Sequence, residues 1–239
     1  LTVFQRTANF SVPARNRPMD PEEERKFKAH YDERREEARY TFAGIAGFPK
    51  PTKSALDDSP EERQRHLEER WETGGGSFAL VTAYNDMLIN REANDVFSDF
   101  VRDKIRSIVK DPDVADLLTP KDHPIGSKRL PVDTNYFEAY NRDNVTLVDI
   151  KRAPIERFTP AGLRTGGVDY AFDAIIFATG FDAMTGAMLA IDIRRKARPS
   201  LKEIWADGPM TYLGIMIAGL PNMFMITGPG SPSVKMSMI

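Results

Sequence analysis

The chain has 239 residues and no cysteine. That excludes disulfide cross-links, thiolate nucleophiles and zinc–thiolate sites. Histidine is scarce as well. His30, His66 and His123 lie far apart, with no metal-ligand spacing, so no metal site is expected. No apolar run reaches the roughly 20 residues of a membrane-spanning helix, and no secretory signal pattern opens the chain. Neither sign of charge dominates. Thirty-three basic against 35 acidic residues leave a net charge of −2, which offers no electrostatic case for nucleic acid or an anionic membrane. A Ser/His/Asp set, a paired-carboxylate motif and a phosphate-loop motif are all missing. Chemistry performed here is therefore expected to belong to a cofactor. The default expectation is a soluble, cytoplasmic protein with no nucleic-acid or membrane partner and with its oligomeric state open.

What is present is an ordinary globular balance, 41% apolar and 28% charged. The opening LTVFQRT has no Met, and the closing GPGSPSVKMSMI stops in a loop pattern, so the chain reads as a segment of a longer protein. Residues 2–7 form a strand pattern. Asp20 suits an N-cap, Pro21 the first helical position and Glu23 the third. Phe27, Tyr31, Ala38, Phe42 and Ile45 then recur at helical steps and predict one helix with one apolar face. GFPKPTKSALDD reads as a linker. Ser59-Pro60-Glu61-Glu62 is a capping box that opens a helix through Trp71. Gly74-Gly75-Gly76 could be mistaken for a phosphate cradle, but it has neither a preceding strand nor a following Lys-Ser/Thr. A helix end with a flexible turn fits it better. From Asn90 to Lys110, apolar residues keep helical spacing again. Beyond residue 122 the period switches to strands and tight turns over 144–150, 155–159, 168–182 and 222–230. A helical block between strand-rich pieces points to an insertion in an α/β domain.

Four stretches could carry chemistry. Arg6-Thr7 closes the first strand. In a dinucleotide-binding fold an arginine there accommodates the 2′-phosphate of NADP, and the alternative is an ordinary surface arginine. Lys128-Arg129, in HPIGSKRLPVD, stand side by side with no acidic neighbour before Asp133. They are either a solvated pair or an anion site with a catalytic cation. AIIFATGFD predicts a strand over 174–177 that ends in small and polar residues, where α/β sheets gather ligands. Gly180 permits close backbone approach or positive φ, and a plain strand-to-turn junction is the alternative. ITGPGSPS is a stiff Gly-Pro-Gly loop, either against a ligand or purely structural. The methionines clustered in the last third are expected to fill core gaps.

The strings VFQRT and SVPARN, GSKRLPVDTNYFEAYNRDNVTLVD, FATGFDAMTGA, GPMTYLG and PNMFMITGPGSPS, in this order, closely resemble the type I Baeyer–Villiger monooxygenases. These flavoenzymes turn ketones into esters or lactones. The likeness covers essentially the whole chain. It implies an α/β fold of two dinucleotide-binding, Rossmann-like domains, one for FAD and one for NADP, with an inserted helical block, here incomplete. The implied division is 1–18 and 123–152 for the NADP domain, 19–122 for the insertion and 153–239 for the return of the FAD domain. The resemblance further implies FAD and NADPH as cofactors, with O2 and a small ketone as substrates. Arg129 matches the catalytic arginine. Arg6 and Lys128 match the clamp on the 2′-phosphate, supported by Thr7. Thr179, Gly180, Phe181 and Asp182 match the segment joining the two nucleotide domains. Ser233, Val234, Lys235 and Met238 match the loop that lines the flavin and substrate cavity, though a lysine at 235 departs from the family pattern. Flavin monooxygenases that hydroxylate nitrogen share the Ala-Thr-Gly strand end, but Phe181-Asp182 and Lys128-Arg129 argue against them. A non-catalytic, flavin-free chain is the remaining alternative.

Overall fold

A computed structural model describes the chain apart from residues 42–43, 48–49, 74–81, 181, 183, 197–198 and 232–239. It divides into two compact units, Leu1–Phe172 and Asp173–Ile239, which are described separately.

In the first unit, β1 (Thr2–Gln5) pairs in parallel with β4 (Thr146–Asp149), and β2 (Val12–Pro13) pairs in parallel with β3 (Val132–Asp133). Parallel neighbours need a long crossover. The crossover from β2 to β3 is the helical block, made of α1 (Pro21–Ala29), α2 (Tyr31–Tyr40), α3 (Pro60–Thr73), α4 (Arg91–Ile108) and α5 (Pro112–Leu118). A single turn of helix, α6 (Tyr136–Ala139), separates β3 from β4.

The expected caps form. Asp20 accepts from the N–H of Glu22 at 2.8 Å. Ser59 and Glu62 exchange both capping-box bonds. A further cap, not among those expected, is Asn90, which accepts from the N–H groups of Glu92 and Ala93. The core gathers on α4. Ala93, Phe97, Phe100, Val101 and Ile105 bury one face against Leu67 and Trp71 of α3, Leu118 of α5, Phe137 of α6, and Phe10, Val12 and Ile125 outside the helices. Each large side chain buried there contributes about 1.5–3 kcal/mol.

Two expectations need correction here. The helix predicted from residue 20 to Ile45 breaks at His30 and ends at Tyr40, and neither α1 nor α2 buries a residue. Its apolar stripe is too thin, and guanidinium groups cover it instead. Arg34 lies over Phe27 at 4.4 Å and Arg35 over Tyr31 at 4.5 Å. Phe42 lies outside the described residues. The predicted linker is also partly built. Ser54 caps a 3₁₀ turn (Ala55–Asp57) and donates to Asp86 at 2.6 Å. Gly74, Gly75 and Gly76 lie outside the described residues.

Three antiparallel strands complete the unit: β5 (Ile155–Thr159), β6 (Gly162–Thr165) and β7 (Val168–Ala171). Gly166 and Gly167, both at positive φ, form the two-residue turn between β6 and β7. Phe4 of β1 meets Tyr170 and Phe172 edge-on at 5.4 and 5.8 Å.

The second unit holds α7 (Gly186–Leu189), α8 (Leu201–Ile204) and an antiparallel pair, β8 (Met216–Ile217) with β9 (Leu220–Phe224). Leu201, Trp205, Ile217, Leu220 and Met225 form its core, with Met188 and Met223 alongside. Met184 and Met210 are exposed, so the gap-filling role holds for some of the methionines only. The strand predicted over 174–177 is not formed. That stretch is exposed, with Ile176 at 90%, and pairs with no strand among the described residues. Apolar composition marks a buried strand, but a strand forms only where a neighbour takes its N–H and C=O groups.

Candidate functional site

Arg6 and Thr7 follow β1 directly, and both are exposed. The strand end is fixed by Gln5, whose Nε2 donates to the carbonyl of Leu117 at 2.9 Å. Asp149, opposite Gln5 on β4, spends its carboxylate on the N–H groups of Lys151 and Arg152. The segment then turns inward, with Ala8 and Phe10 buried, and leads into β2.

The loop carrying Lys128 and Arg129 approaches the same segment. On its N-terminal side Ile125 is sunk in the core and pinned by α4. Asn94 Nδ2 donates to the Ile125 carbonyl at 2.8 Å, and the Ile125 N–H donates to Ser98 Oγ at 3.3 Å. Gly126 follows at φ +83°, a backbone conformation strained for any residue with a side chain. The Ser127 N–H and hydroxyl both return to the Pro124 carbonyl. On the C-terminal side Leu130 is buried, and the Pro131 carbonyl accepts from the Val12 N–H at 3.1 Å. Ser11 Oγ donates to Asp133 Oδ2 at 2.6 Å. Lys128 and Arg129 therefore form the exposed apex of a loop fastened on both sides. Among the described residues neither Arg6 nor Lys128 forms a salt bridge. Asp122 is held below the usual carboxylate range, first by its hydrogen bond to His123 and to a lesser degree by the charges of His123 and Lys128. The arrangement is one of unneutralised cations on fixed backbone, which suits a dianion with several acceptor oxygens.

The structure thus brings the segment of Arg6 and Thr7 beside the loop of Lys128 and Arg129, through Val12–Pro131, Ser11–Asp133 and His123–Asn9 contacts. The other candidates belong to the second unit or lie outside the described residues. Thr179 and Gly180 are exposed, and Gly180 takes φ +83°. The Asp182 carboxyl abuts Gly186, where any Cβ would collide with it. Phe181, Ser233, Val234, Lys235 and Met238 lie outside the described residues. Within the Gly-Pro-Gly loop, the described part is locked to the 211–214 turn. Thr211 donates to the Pro229 carbonyl at 2.6 Å, and the Gly228 N–H donates to the Gly214 carbonyl at 3.0 Å. A Cβ on Gly214 would lie 2.6 Å from the Ser231 backbone nitrogen.

A cleft of about 510 Å³ opens elsewhere in the first unit, beside Trp71, Lys104 and Asn135. Its cations are already neutralised, Arg15 by Glu72 at 2.9 Å and Lys104 by Glu68 at 2.5 Å. Among the described residues no group of His, Asp and Glu is placed to hold a metal ion, and no helix is long and apolar enough to cross a membrane.

Sequence reasoning missed Asn94, Ser98 and His123 as supports of the cation loop. The first two sit among apolar residues in a helical stripe, and a polar residue on a buried stripe is the signal that marks them. His123 stands five residues before Lys128, and in sequence it is one of three scattered histidines with nothing to mark its partner Asn9.

No protein-family model matches the chain. Among curated proteins it is similar to the 2-oxo-Δ3-4,5,5-trimethylcyclopentenylacetyl-CoA monooxygenase of Pseudomonas putida, at 46% identity over 98% of this chain and 42% of that protein. It matches a Baeyer–Villiger monooxygenase of Pseudooceanicola batsensis at 43% identity over 97% of this chain and 42% of that one. A phenazine N-monooxygenase of Lysobacter antibioticus matches at 40% identity, over 97% of this chain and 42% of its own length. The crystal structure of OTEMO in complex with FAD and NADP superposes with a TM-score of 0.89 at 44% identity, over 98% of this chain and 44% of that one. The chain thus spans 42% of the length of these curated relatives.

Proposed function

We propose, from the premise that the chain belongs over nearly its whole length to the Baeyer–Villiger monooxygenase family, that its protein inserts one oxygen atom of O2 beside the carbonyl of a small ketone. The product is an ester or a lactone, and the cofactors are NADPH and FAD. The observation that carries this reading is that Arg6 and Lys128, two exposed cations that form no salt bridge among the described residues, stand on segments tied together by hydrogen bonds. A 2′-phosphate fits such a pair, because a guanidinium and an ammonium supply charge-assisted donors to its oxygens. Thr7 adds a hydroxyl donor beside Arg6. When bound, the flavin supplies the activation of O2 and the nicotinamide supplies the reducing equivalents.

Arg129 is assigned to the chemistry. Its guanidinium stays protonated at any working pH. A fixed cation there stabilises the negative charge that gathers on the ketone oxygen as the new carbon–oxygen bond forms. The loop holds it on a backbone anchored at Ile125 and Leu130, so little reorganisation accompanies the reaction. The parallel pairs β1–β4 and β2–β3 support joining residues 1–18 and 123–152 in one NADP domain, with 19–122 inserted. Residues 153–239 are read as the return of the FAD domain. Thr179, Gly180, Phe181 and Asp182 are assigned to the segment joining the two nucleotide domains, and Ser233, Val234, Lys235 and Met238 to the loop of the flavin and substrate cavity, as the family resemblance implies.

The decisive experiment uses the full-length, FAD-loaded protein with cyclic and acyclic ketones. Ester or lactone carrying one atom of labelled O2 is the expected product. In Arg129→Ala, NADPH still reduces the flavin and no ester forms. Ester at the wild-type rate in that variant removes Arg129 from the chemistry. Oxygen insertion at nitrogen is the second reading, favoured by the likeness to the phenazine N-monooxygenase. Aromatic amine or N-heterocycle substrates run alongside the ketones decide between the two.

A further inference from the structure

His123 has no part in the proposed chemistry or cofactor contacts, yet it lies where the two cation-bearing segments meet. Its Nδ1 is 2.6 Å from Asp122 Oδ1, and its Nε2 is 3.2 Å from Asn9 Oδ1, across 114 positions of sequence. Asn9 is three residues past Arg6, and His123 is five residues before Lys128. The ring is nearly covered, with 10% of the side chain exposed. It stands edge-on to Phe10 at 5.5 Å. The Arg102 guanidinium lies over the same phenyl ring at 5.5 Å, while its Nε donates to the Pro120 carbonyl at 2.8 Å. The imidazole therefore has a polar partner at each nitrogen and a packed face, the geometry of a spacer.

A spacer is needed there. Residues 6–11 form no strand and run between β1 and β2 with Arg6 exposed at their start. Two cations turned toward one anion repel each other until it arrives. Val12–Pro131 and Ser11–Asp133 fasten the far end of the segment, so the His123–Asn9 bond is the tie nearest Arg6; without it residues 6–9 relax away from the loop, and the clamp must be rebuilt on binding at the cost of affinity.

We propose that His123 is a positioning residue: it bridges Asp122 and Asn9, sets the span between Arg6 and the Lys128-Arg129 loop, and so sets the preference for a nicotinamide coenzyme bearing a 2′-phosphate. This rests on the reading of Arg6 and Lys128 as a phosphate clamp. His123 touches no cofactor atom in this scheme. It acts through the two segments it joins.

The test measures the full-length, FAD-loaded protein in two ways. Calorimetry gives the affinity for adenosine 2′,5′-bisphosphate without turnover, and steady-state kinetics give KM and kcat with NADPH and with NADH. His123→Ala is expected to weaken bisphosphate binding and raise KM for NADPH on the order of tenfold, as a misplaced binding group does. KM for NADH stays within about twofold, since it does not depend on the 2′-phosphate. Asn9→Ala, at an exposed position, reproduces the effect, and the double variant is no worse than either single one. His123→Gln, whose amide reaches the Nε2 position, restores binding. His123→Asn, which keeps only the bond to Asp122, does not. The proposal is overturned if His123→Ala and Asn9→Ala keep the wild-type preference, if their effects add, or if His123→Asn rescues as well as His123→Gln. If His123→Ala does not fold, Asn9→Ala decides alone. A wild-type protein that binds NADH and NADPH alike overturns the phosphate clamp itself, and the role of His123 with it.

Discussion

Asn94→Ala tests whether the helical block holds the cation loop. Asn94 is buried on α4 and serves three partners. Its Nδ2 donates to the carbonyls of Met87 and Ile125 at 2.9 and 2.8 Å, and its Oδ1 accepts from the Ser98 hydroxyl at 3.1 Å. Ser98, Met87 and Ile125 are themselves at most 1% exposed. Truncation leaves two carbonyls and one hydroxyl buried without that partner. Each unsatisfied group costs about 1–3 kcal/mol. Water entering the space offsets part of this, which puts the loss at about 3 kcal/mol rather than the full sum. For a chain of this size that lowers the melting temperature by roughly 6–12 °C. Asn94→Asp is the sharper arm. It retains an acceptor for Ser98 but sets a carboxylate against two carbonyls, so it is expected to be less stable than Asn94→Ala. Thermal unfolding followed by circular dichroism at one pH reads both. In the full-length, FAD-loaded protein, Asn94→Ala also raises KM for NADPH, because Ile125 lies three residues before Lys128. A melting temperature within about 2 °C of wild type would refute the anchoring argument. So would lost stability with an unaltered KM for NADPH.

Lys128→Ala is expected to leave the melting temperature unchanged, because the side chain is exposed and forms no salt bridge among the described residues. It should lower the preference for NADPH over NADH by about tenfold to a hundredfold, the worth of a hydrogen bond to a charged group; an unchanged ratio in steady-state kinetics counts against the clamp. Asp58→Asn should flatten the acid limb of stability. Asp58 is buried and accepts from the Lys53 ammonium and the Tyr84 hydroxyl, which hold its carboxyl below the usual range. A depressed pKa contributes stability that is present above the unfolded value of about 3.9 and is lost as pH falls through the folded value. The difference in melting temperature between wild type and Asp58→Asn should therefore shrink as pH drops below about 4. A difference that stays constant from neutral to acid pH would sink this account.

The helical block was legible because its signals are local. Asp20-Pro21, Ser59 with Glu62, and Asn90 each cap a helix within three residues of sequence. The seam that closes the first unit was not legible. The pairing of β2 with β3 joins Val12–Pro13 to Val132–Asp133, and two-residue strands carry no period to read. The stretch 174–177 misled in the opposite sense. Its composition is that of a buried strand, yet burial and pairing come from partners that composition cannot supply. The apolar spacing through Phe27, Tyr31 and Ala38 likewise predicts a buried face, whereas Arg34 and Arg35 cover the two rings.

For the site, the residue types were readable and their fixation was not. Lys128 and Arg129 stand out as adjacent cations in any reading of the sequence. If the segment were a strand, they would point to opposite faces. The structure places them instead on an exposed apex outside any strand. Ile125 and Leu130 are both buried, so the chain must leave the core and return to it within four intervening residues. The reversal begins at Gly126, whose φ of +83° is strained for any residue with a side chain. Exposure of the two cations is thus imposed by their flanks, not by their own polarity. Those flanks are fastened by Asn94 and Ser98 on α4, inside the inserted helical block. The helical block then supplies the wall against which the cation loop is held, and under the proposed function the placement of charge for NADPH and for oxygen transfer depends on helix packing more than 20 residues away in sequence.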